Sequence, residues 1–174
     1  MEIELDTRRK IYELIVKSPG IHFREIERRL GMAVGSLQYH LHFLEKKNLI
    51  KVEQDGEYLR YFPVESPLSQ NDKKILSFLR RKTSRRILIF LLNKPGANNK
   101  DISRGIGLSP STISWHLNKL VEAEIVERKR EGRESFFKVK DPERVVKLMI
   151  TYKESFLDKL VDGFVEIWEH SELD

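Results

Sequence analysis

The stretch Met32 to Ile50, MAVGSLQYHLHFLEKKNLI, occurs twice in this chain. The second copy, Leu108 to Val126, reads LSPSTISWHLNKLVEAEIV and lies 76 positions on. The offset holds without a gap from Pro19/Pro95 to Gly56/Gly132. Pro19-Gly20, Ile26, Arg28, Gly31, His40-Leu41, Leu44 and Gly56 recur as the same residue. A repeat constrains architecture before any single motif does, and a unit of about 60 residues is too long for a solenoid and right for a small domain used twice. The 174 residues therefore divide into two domains. Domains of that size bury only about 60% of their unfolded surface, so each is expected to lean on the other or on a partner.

At about 100° per residue, Ile113, Leu117 and Leu120 of the second copy fall on one stripe, which predicts a helix with that face inward. Ser109 is a good N-cap and Pro110 suits the first helical position. The opposite side carries Ser111, Ser114, Trp115 and Asn118, with Lys119 on its flank. In the first copy Leu37, Leu41 and Leu44 make the stripe, and Gly35, Gln38, Tyr39, His42 and Lys46 make the other face. A merely solvated face would be rich in Glu and Lys. Ser, Gln, Asn and one large aromatic at the same position in each copy suit a surface that reads something.

Along the chain, Asp6 is predicted to cap a first helix, Thr7 to Lys17, with Ile11, Leu14 and Ile15 facing in and Pro19-Gly20 as its stop. A short helix, about Phe23 to Leu30, precedes the repeated one, with Gly31 in the tight turn, which makes a helix–turn–helix. Beyond Asn48 the period changes from helical to extended. Ile50 to Glu53 and Tyr58 to Val64 read as strands joined at Asp55-Gly56. Helix, helix–turn–helix and β-hairpin together describe a winged helix. Residues 64–70, VESPLSQ, form a break, and Ser69 or Asn71 caps a connector helix, Asp72 to Arg81, with Ile75, Leu76 and Leu79 as its stripe. Thr83 or Ser84 starts the first helix of the second repeat, which ends at Pro95-Gly96, and the second hairpin turns at Glu131-Gly132. Asp141-Pro142-Glu143 is a helix start, and one long helix is predicted to about His170, with Gly163 as a place to bend. The predicted fold is mainly α with small β-hairpin wings. Two tandem winged helix–turn–helix domains occupy 1–65 and 83–140, a connector helix 66–82, and a long C-terminal helix 141–174.

Composition narrows the function classes. The chain has no cysteine, which excludes disulfides, thiolate metal sites and a thiol redox sensor. No apolar run approaches the roughly 20 residues of a membrane span, and MEIELDTRRK lacks a signal-peptide core, so a cytoplasmic protein with no membrane partner is expected. The net charge of +5 is unevenly spread. Residues 1–65 are neutral, 66–82 carry +4, 83–140 carry +6 and 141–174 carry −5. A basic middle followed by an acidic tail points to an anionic partner for the middle.

The segments HFREIERRLGMAVGSLQYHLHFLEKKNLI and NKDISRGIGLSPSTISWHLNKLVEAEIV resemble the winged-helix transcriptional regulators of the ArsR/MarR kind, in the tandem form common in archaea. The second copy is close to that family's pattern of Ser-Pro-Ser-Thr, a β-branched residue, Ser, then His-Leu and a Leu three further on. The resemblance covers roughly residues 7–140. It implies a transcriptional regulator that binds duplex DNA. Where many relatives carry Arg just before the His-Leu pair, this chain has Tyr39 and Trp115. The first wing, EQDGEYLR, is acidic, whereas the second, RKREGRE, is basic, so the two domains are not expected to grip DNA equally.

A helix fits the major groove, where side chains at its N-terminal half reach base edges. Ser36 and Gln38 in the first copy, and Ser111, Thr112 and Ser114 in the second, occupy that half. Tyr39 and Trp115 lie nearly opposite the apolar stripe and are expected to be exposed, touching a thymine methyl or a sugar. His42, Lys46, Asn118 and Lys119 complete the two faces. Ser109 and the amides around it can hold a phosphate at the helix start while also acting as an ordinary cap. Arg128, Arg130 and Arg133 of the second wing, and Arg60 of the first, are expected on the backbone or in the minor groove. His40 and His116 lie about 60° from the centre of the buried stripe and read as satisfied, half-buried structural residues. His40 and His42, two apart, cannot chelate one ion in the usual i, i+4 way. No Gly-rich phosphate loop and no nucleophile–base–acid pattern is present, so neither an enzyme nor a cofactor or metal site is expected.

In the C-terminal segment Val146, Ile150, Leu157, Val161, Phe164 and Trp168 are spaced to share one helix face. A homodimer through that helix is expected, which would suit a two-fold DNA site. The reading is a sequence-specific regulator of double-stranded DNA, with the transcription machinery as a further partner. The alternative is a tandem winged-helix scaffold that binds proteins in a chromosome-associated or transcription assembly. Such scaffolds tend to lose the basic wing and the Ser/Thr-rich helix, both of which the second domain keeps.

Overall fold

The computed structural model describes residues 2–171 and the side chains of 4–169. The chain forms two compact units, Met1–Lys73 and Lys74–Asp174.

The first unit comprises α1 (Glu2–Lys17), β1 (Ile21–His22), α2 (Phe23–Leu30), α3 (Val34–Lys46), β2 (Ile50–Asp55) and β3 (Tyr58–Pro63). The apolar stripes of the three helices converge on Ile11, Ile15, Ile26, Leu37, Leu41 and Leu44, with Ile50 and Tyr61 closing the core from the sheet. The strand order is β1-β3-β2, all antiparallel. Strand β1, only two residues long, is too short to leave a periodic signal in the sequence. Gly31 takes the left-handed conformation (φ 61°) that a side chain would resist, and its N–H caps α2 by donating to the Glu27 carbonyl. Gly107 repeats that geometry in the second unit, donating to the Ser103 carbonyl at 2.8 Å.

Helix α1 begins at Glu2 rather than at Thr7, so Asp6 is a mid-helix residue and not a cap. Two i,i+4 pairs support the added turn, Lys10 Nζ to Asp6 at 3.4 Å and Arg8 to Glu4 at 3.9 Å. Acidic residues at a helix N-terminus also suit its dipole.

Helix α4 (Gln70–Leu79) carries the boundary between the units. Ser69 starts it with a reciprocal pair of hydrogen bonds. The Asp72 amide donates to Ser69 Oγ at 3.1 Å, and the Ser69 amide donates to Asp72 Oδ2 at 3.0 Å.

The second unit continues with α5 (Lys82–Asn93), β4 (Ala97–Asn98), α6 (Asn99–Ile106), α7 (Pro110–Glu122), β5 (Val126–Glu131) and β6 (Glu134–Val139), with strand order β4-β6-β5. It repeats the first unit element for element. The chain therefore has two tandem winged helix–turn–helix folds, mainly α with small hairpin wings.

The C-terminal segment is helical, but it is three helices, α8 (Pro142–Thr151), α9 (Lys153–Phe156) and α10 (Lys159–Ser171), and not one long one. The chain turns at Leu157, which adopts φ 51°, and not at Gly163. An ion pair drawn from far away in sequence fixes the turn. Arg85 Nε meets Asp158 Oδ2 at 2.6 Å while Arg85 Nη1 donates to the Leu79 carbonyl at 2.8 Å. Asp158 Oδ1 then caps α10 by accepting from the Leu160 amide at 2.9 Å. Folding back buries Val146, Val161 and Phe164 within the chain and leaves Leu157 74% exposed. Ile150 and Trp168 are half-buried. The six residues expected on one helix face therefore do not share one.

Removing Asp158 would strand a buried guanidinium. Asp158→Ala is expected to cost about 3 kcal/mol, as for other buried pairs broken on one side, read as a lowered urea midpoint with an unchanged slope. An unchanged midpoint would mean that the pair does not hold the turn.

Candidate nucleic-acid interface

In the second unit two helix starts and one hairpin meet. Asn98 caps α6 in a reciprocal box with Asp101, accepting from the Asp101 amide at 2.8 Å. Ser109 caps α7, accepting from the Thr112 amide at 3.3 Å, and its hydroxyl lies 2.8 Å from Thr112 Oγ1 and 3.2 Å from Ser111 Oγ. Pro110 stands at the first helical position. With Ile113, Leu117 and Leu120 buried, Ser111, Thr112, Ser114, Trp115, Asn118 and Lys119 are all exposed. The Trp115 ring is 57% exposed, with Lys119 Nζ 5.4 Å from its centre.

The wing turns its charge toward this helix. Residues 126, 128 and 130 share one face of β5, the face on which Val126 is buried, so Arg128 and Arg130 lie on the side of the fold's helices. Arg128 Nη2 donates to Asn118 Oδ1 on α7, and its guanidinium sits 5.4 Å from the Phe137 ring. Between wing and helices opens a polar cleft of about 440 Å³ lined by Asn99, Lys100, Ser114, Arg128, Arg130 and Arg133. Asn99 Nδ2 donates to Ser114 Oγ at 2.7 Å and to the Pro110 carbonyl at 3.1 Å, so it sets the rotamer of a residue on the exposed face of α7. Asn99 and Lys100 are functional candidates absent from the sequence expectations. The signal was Asn-Asn-Lys at a helix start, legible only once β4 is known to deliver that start beside the wing.

The first unit keeps the helix but not the wing arginines. On α3, Ser36, Gln38, His42 and Lys46 are exposed, and the Tyr39 ring is 57% exposed with Arg8 5.9 Å from its centre. Helix α3 has no side-chain cap, because Ala33 stands where α7 has Ser109. Arg60, expected on the wing surface, is instead 3% exposed. Its Nε meets Asp55 Oδ2 at 2.8 Å and its Nη1 donates to the Gly20 carbonyl at 2.9 Å. A guanidinium committed to a buried carbonyl and a carboxylate is a strut between β3 and the turn before β1, not a phosphate contact. The repeat positions of Arg128, Arg130 and Arg133 hold Val52, Gln54 and Glu57. The first wing therefore lacks the arginines that the second wing offers to the backbone of a nucleic acid.

The two equivalent histidines differ from expectation in one respect. His116 is half-buried, but His40 is buried and its Nδ1 has no hydrogen-bond partner. Burial pushes the pKa of both below the ordinary value, reinforced by the positive charge of Arg8 at His40, where Glu4 partly offsets it, and of Arg81 at His116.

Residues 5–76 match a family described as an N-terminal HTH domain, and residues 80–127 match one described as winged helix–turn–helix DNA-binding. Both halves of the chain are thus helix–turn–helix domains. An uncharacterized HTH-type transcriptional regulator of Methanocaldococcus jannaschii is 38% identical over 127 residues, 73% of this chain and 32% of that protein. The chain thus spans about a third of that relative's length. Among solved structures, the transcriptional repressor PagR of Bacillus anthracis is 22% identical over 47% of this chain and 92% of its own, with a TM-score of 0.42. The endosomal complex ESCRT-II is 16% identical over 82% of this chain and 63% of its own, with a TM-score of 0.34. Among the described residues no helix is long and apolar enough to cross a membrane.

Both depressed histidines set a direction for stability against pH. Below about pH 6.5 the unfolded chain takes up protons that the folded chain refuses, so stability is full above that value and falls as pH drops toward the folded pKa values. The urea midpoint is expected to fall between pH 7.5 and 5.5, and to fall less in the His40→Gln, His116→Gln double variant. Equal falls in parent and variant would show that other groups carry the effect.

Proposed function

We propose that this protein is a DNA-binding transcriptional regulator that reads double-stranded DNA by sequence, with its grip on the phosphates concentrated in the second unit. The observation that carries this reading is the cleft where Lys100, Arg128, Arg130 and Arg133 converge beside a helix whose exposed residues are Ser, Thr, Asn and Trp. Helix α7 enters the major groove with Ser111, Thr112 and Ser114 toward base edges, and Trp115 lies against a thymine methyl or sugar. Ser109 and the first amides of α7 hold one phosphate, and the cleft's cations hold its neighbours. Ser36, Gln38, Tyr39, His42 and Lys46 on α3 form a second reading face without a basic wing behind it. Asn118 binds Arg128 and thereby couples the wing's position to the helix that reads.

The protein works in the cytoplasm as a homodimer through its C-terminal segment, where Leu157, Leu160 and Ile167 remain exposed. That symmetry pairs two basic clefts with a two-fold DNA site. The bound dimer then controls access of the transcription machinery.

Three variants separate the roles. Arg130→Ala with Arg133→Ala should weaken binding to every duplex alike and lower the slope of log affinity against log salt by about two units, one per lost phosphate contact. Trp115→Ala should cost about 1–3 kcal/mol on the preferred site and little on random duplex. Arg60→Ala should lower the unfolding midpoint and leave the salt slope unchanged. Titration of fluorescent duplexes at several salt concentrations reads the three binding effects, and urea unfolding reads the Arg60→Ala midpoint. If the double arginine variant binds random DNA like the parent, the cleft is not the phosphate contact.

A further inference from the structure

The repeat exposes a second surface in the other wing face. In each hairpin one face of the sheet packs on the helices and the other looks outward. In the first unit the outward face carries Glu53 opposite Arg60 and Lys51 opposite Phe62. That face is closed by the start of α4. Lys73 Nζ meets Glu53 Oε1 at 3.0 Å and lies 4.9 Å from the centre of the Phe62 ring, and Phe62, Arg60 and Lys73 are all buried. The equivalent face of the second unit carries Lys129 opposite Phe136 and Glu127 opposite Lys138. Beside it runs an open groove of about 550 Å³ lined from both sheet faces and the end of α7, with Val121, Arg128, Phe136, Lys138 and Lys140 among its residues. Phe136 is half-buried while Lys129, Lys138 and Lys140 are exposed.

The chain itself shows what such a face accepts, a helix turn bringing one charge to the sheet. The polarity of the second site is reversed, because Lys129 stands at the repeat position of Glu53. The complementary helix must therefore supply carboxylates beside an apolar stripe. Helix α10 has that composition. Val161, Phe164 and Val165 bury one side of it against its own unit. Leu160 and Ile167, two turns apart on an adjacent stripe, are exposed, and Gly163 between them has open space where a Cβ would be. Glu166 flanks that stripe and is exposed. The C-terminal segment carries −5 and the domain with the groove +6.

We propose that the groove along the second wing receives the Leu160–Ile167 stripe of α10 from a second copy of this chain, with Glu166 meeting Lys138. The exchange is reciprocal, so a dimer holds two such contacts and closes on itself. The apolar stripe enters beside Val121 and Phe136, and the lysines ring it. The docked tail reaches Arg128, which lines both the groove and the DNA cleft, and leaves Arg130 and Arg133 unobstructed. This proposal rests on the homodimer reading and adds the surface that receives the helix.

Sedimentation equilibrium of the full chain at micromolar concentration, over a series of salt concentrations, tests it with substitutions at exposed positions. The parent should dimerise, and Ile167→Glu should be monomeric with an unchanged melting temperature. Lys138→Glu alone and Glu166→Lys alone should each dimerise at least tenfold more weakly. An equimolar mixture of the two should associate like the parent, because each contact in the mixed dimer again pairs opposite charges. If Ile167→Glu breaks the dimer while Lys138→Glu matches the parent, the dimer reading stands and the groove is not its acceptor. If the parent is monomeric, both fall.

Discussion

The burial of Ile113, Leu117 and Leu120 on one side of α7 is the constraint on which the rest of this structure depends. Three branched apolar side chains on a helix of about four turns fix its rotation about its own axis, because turning it would bring any of them into water. Once that angle is set, Ser111, Ser114, Trp115 and Asn118 have no direction left but outward. The same stripe at Leu37, Leu41 and Leu44 sets α3, which explains why Tyr39 and Trp115 share both position and exposure. The exposed polar face is thus a consequence of the core and not an independent feature.

The repeat gives the molecule one scaffold with two outcomes. Both units share the αL glycine, the short strand before the helix–turn–helix and the hairpin register. They differ where the scaffold does not care. Val52, Gln54 and Glu57 in one wing become Arg128, Arg130 and Arg133 in the other, without disturbing a strand pairing. Positive charge accumulates on one wing only, and there the helix start at Asn99 and the cap at Ser109 stand beside it. An acidic first wing without those arginines has little to neutralise phosphates with, and counterion release dominates affinity for duplex DNA.

Local chemistry was legible in the sequence and distant chemistry was not. Ser109-Pro110 announces a helix start because its cap lies within three residues, and Gly31 announces a turn because its own backbone requires it. Arg60 could not be placed, since the carbonyl that claims it belongs to Gly20, 40 positions away. The apolar spacing of the C-terminal segment runs through Leu157 without interruption, so it predicts one helix. The break comes from Arg85, 73 residues before its partner Asp158. Asn99 was missed for a similar reason, because the hydrogen bond that gives it a role crosses from α6 to α7. The first helix failed in a different way. Asp6 has the chemistry of a cap and so suggests a boundary, although the acidic turn before it is itself a good helix start.

Amide chemical shifts of the full chain, followed while a duplex containing its site is added, test the central claim most directly. The account predicts large changes at Asn98 to Lys100, Ser109 to Lys119 and Arg128 to Ser135, and none along the first wing from Gln54 to Arg60. Equal changes in both wings, or changes confined to the first unit, would contradict it.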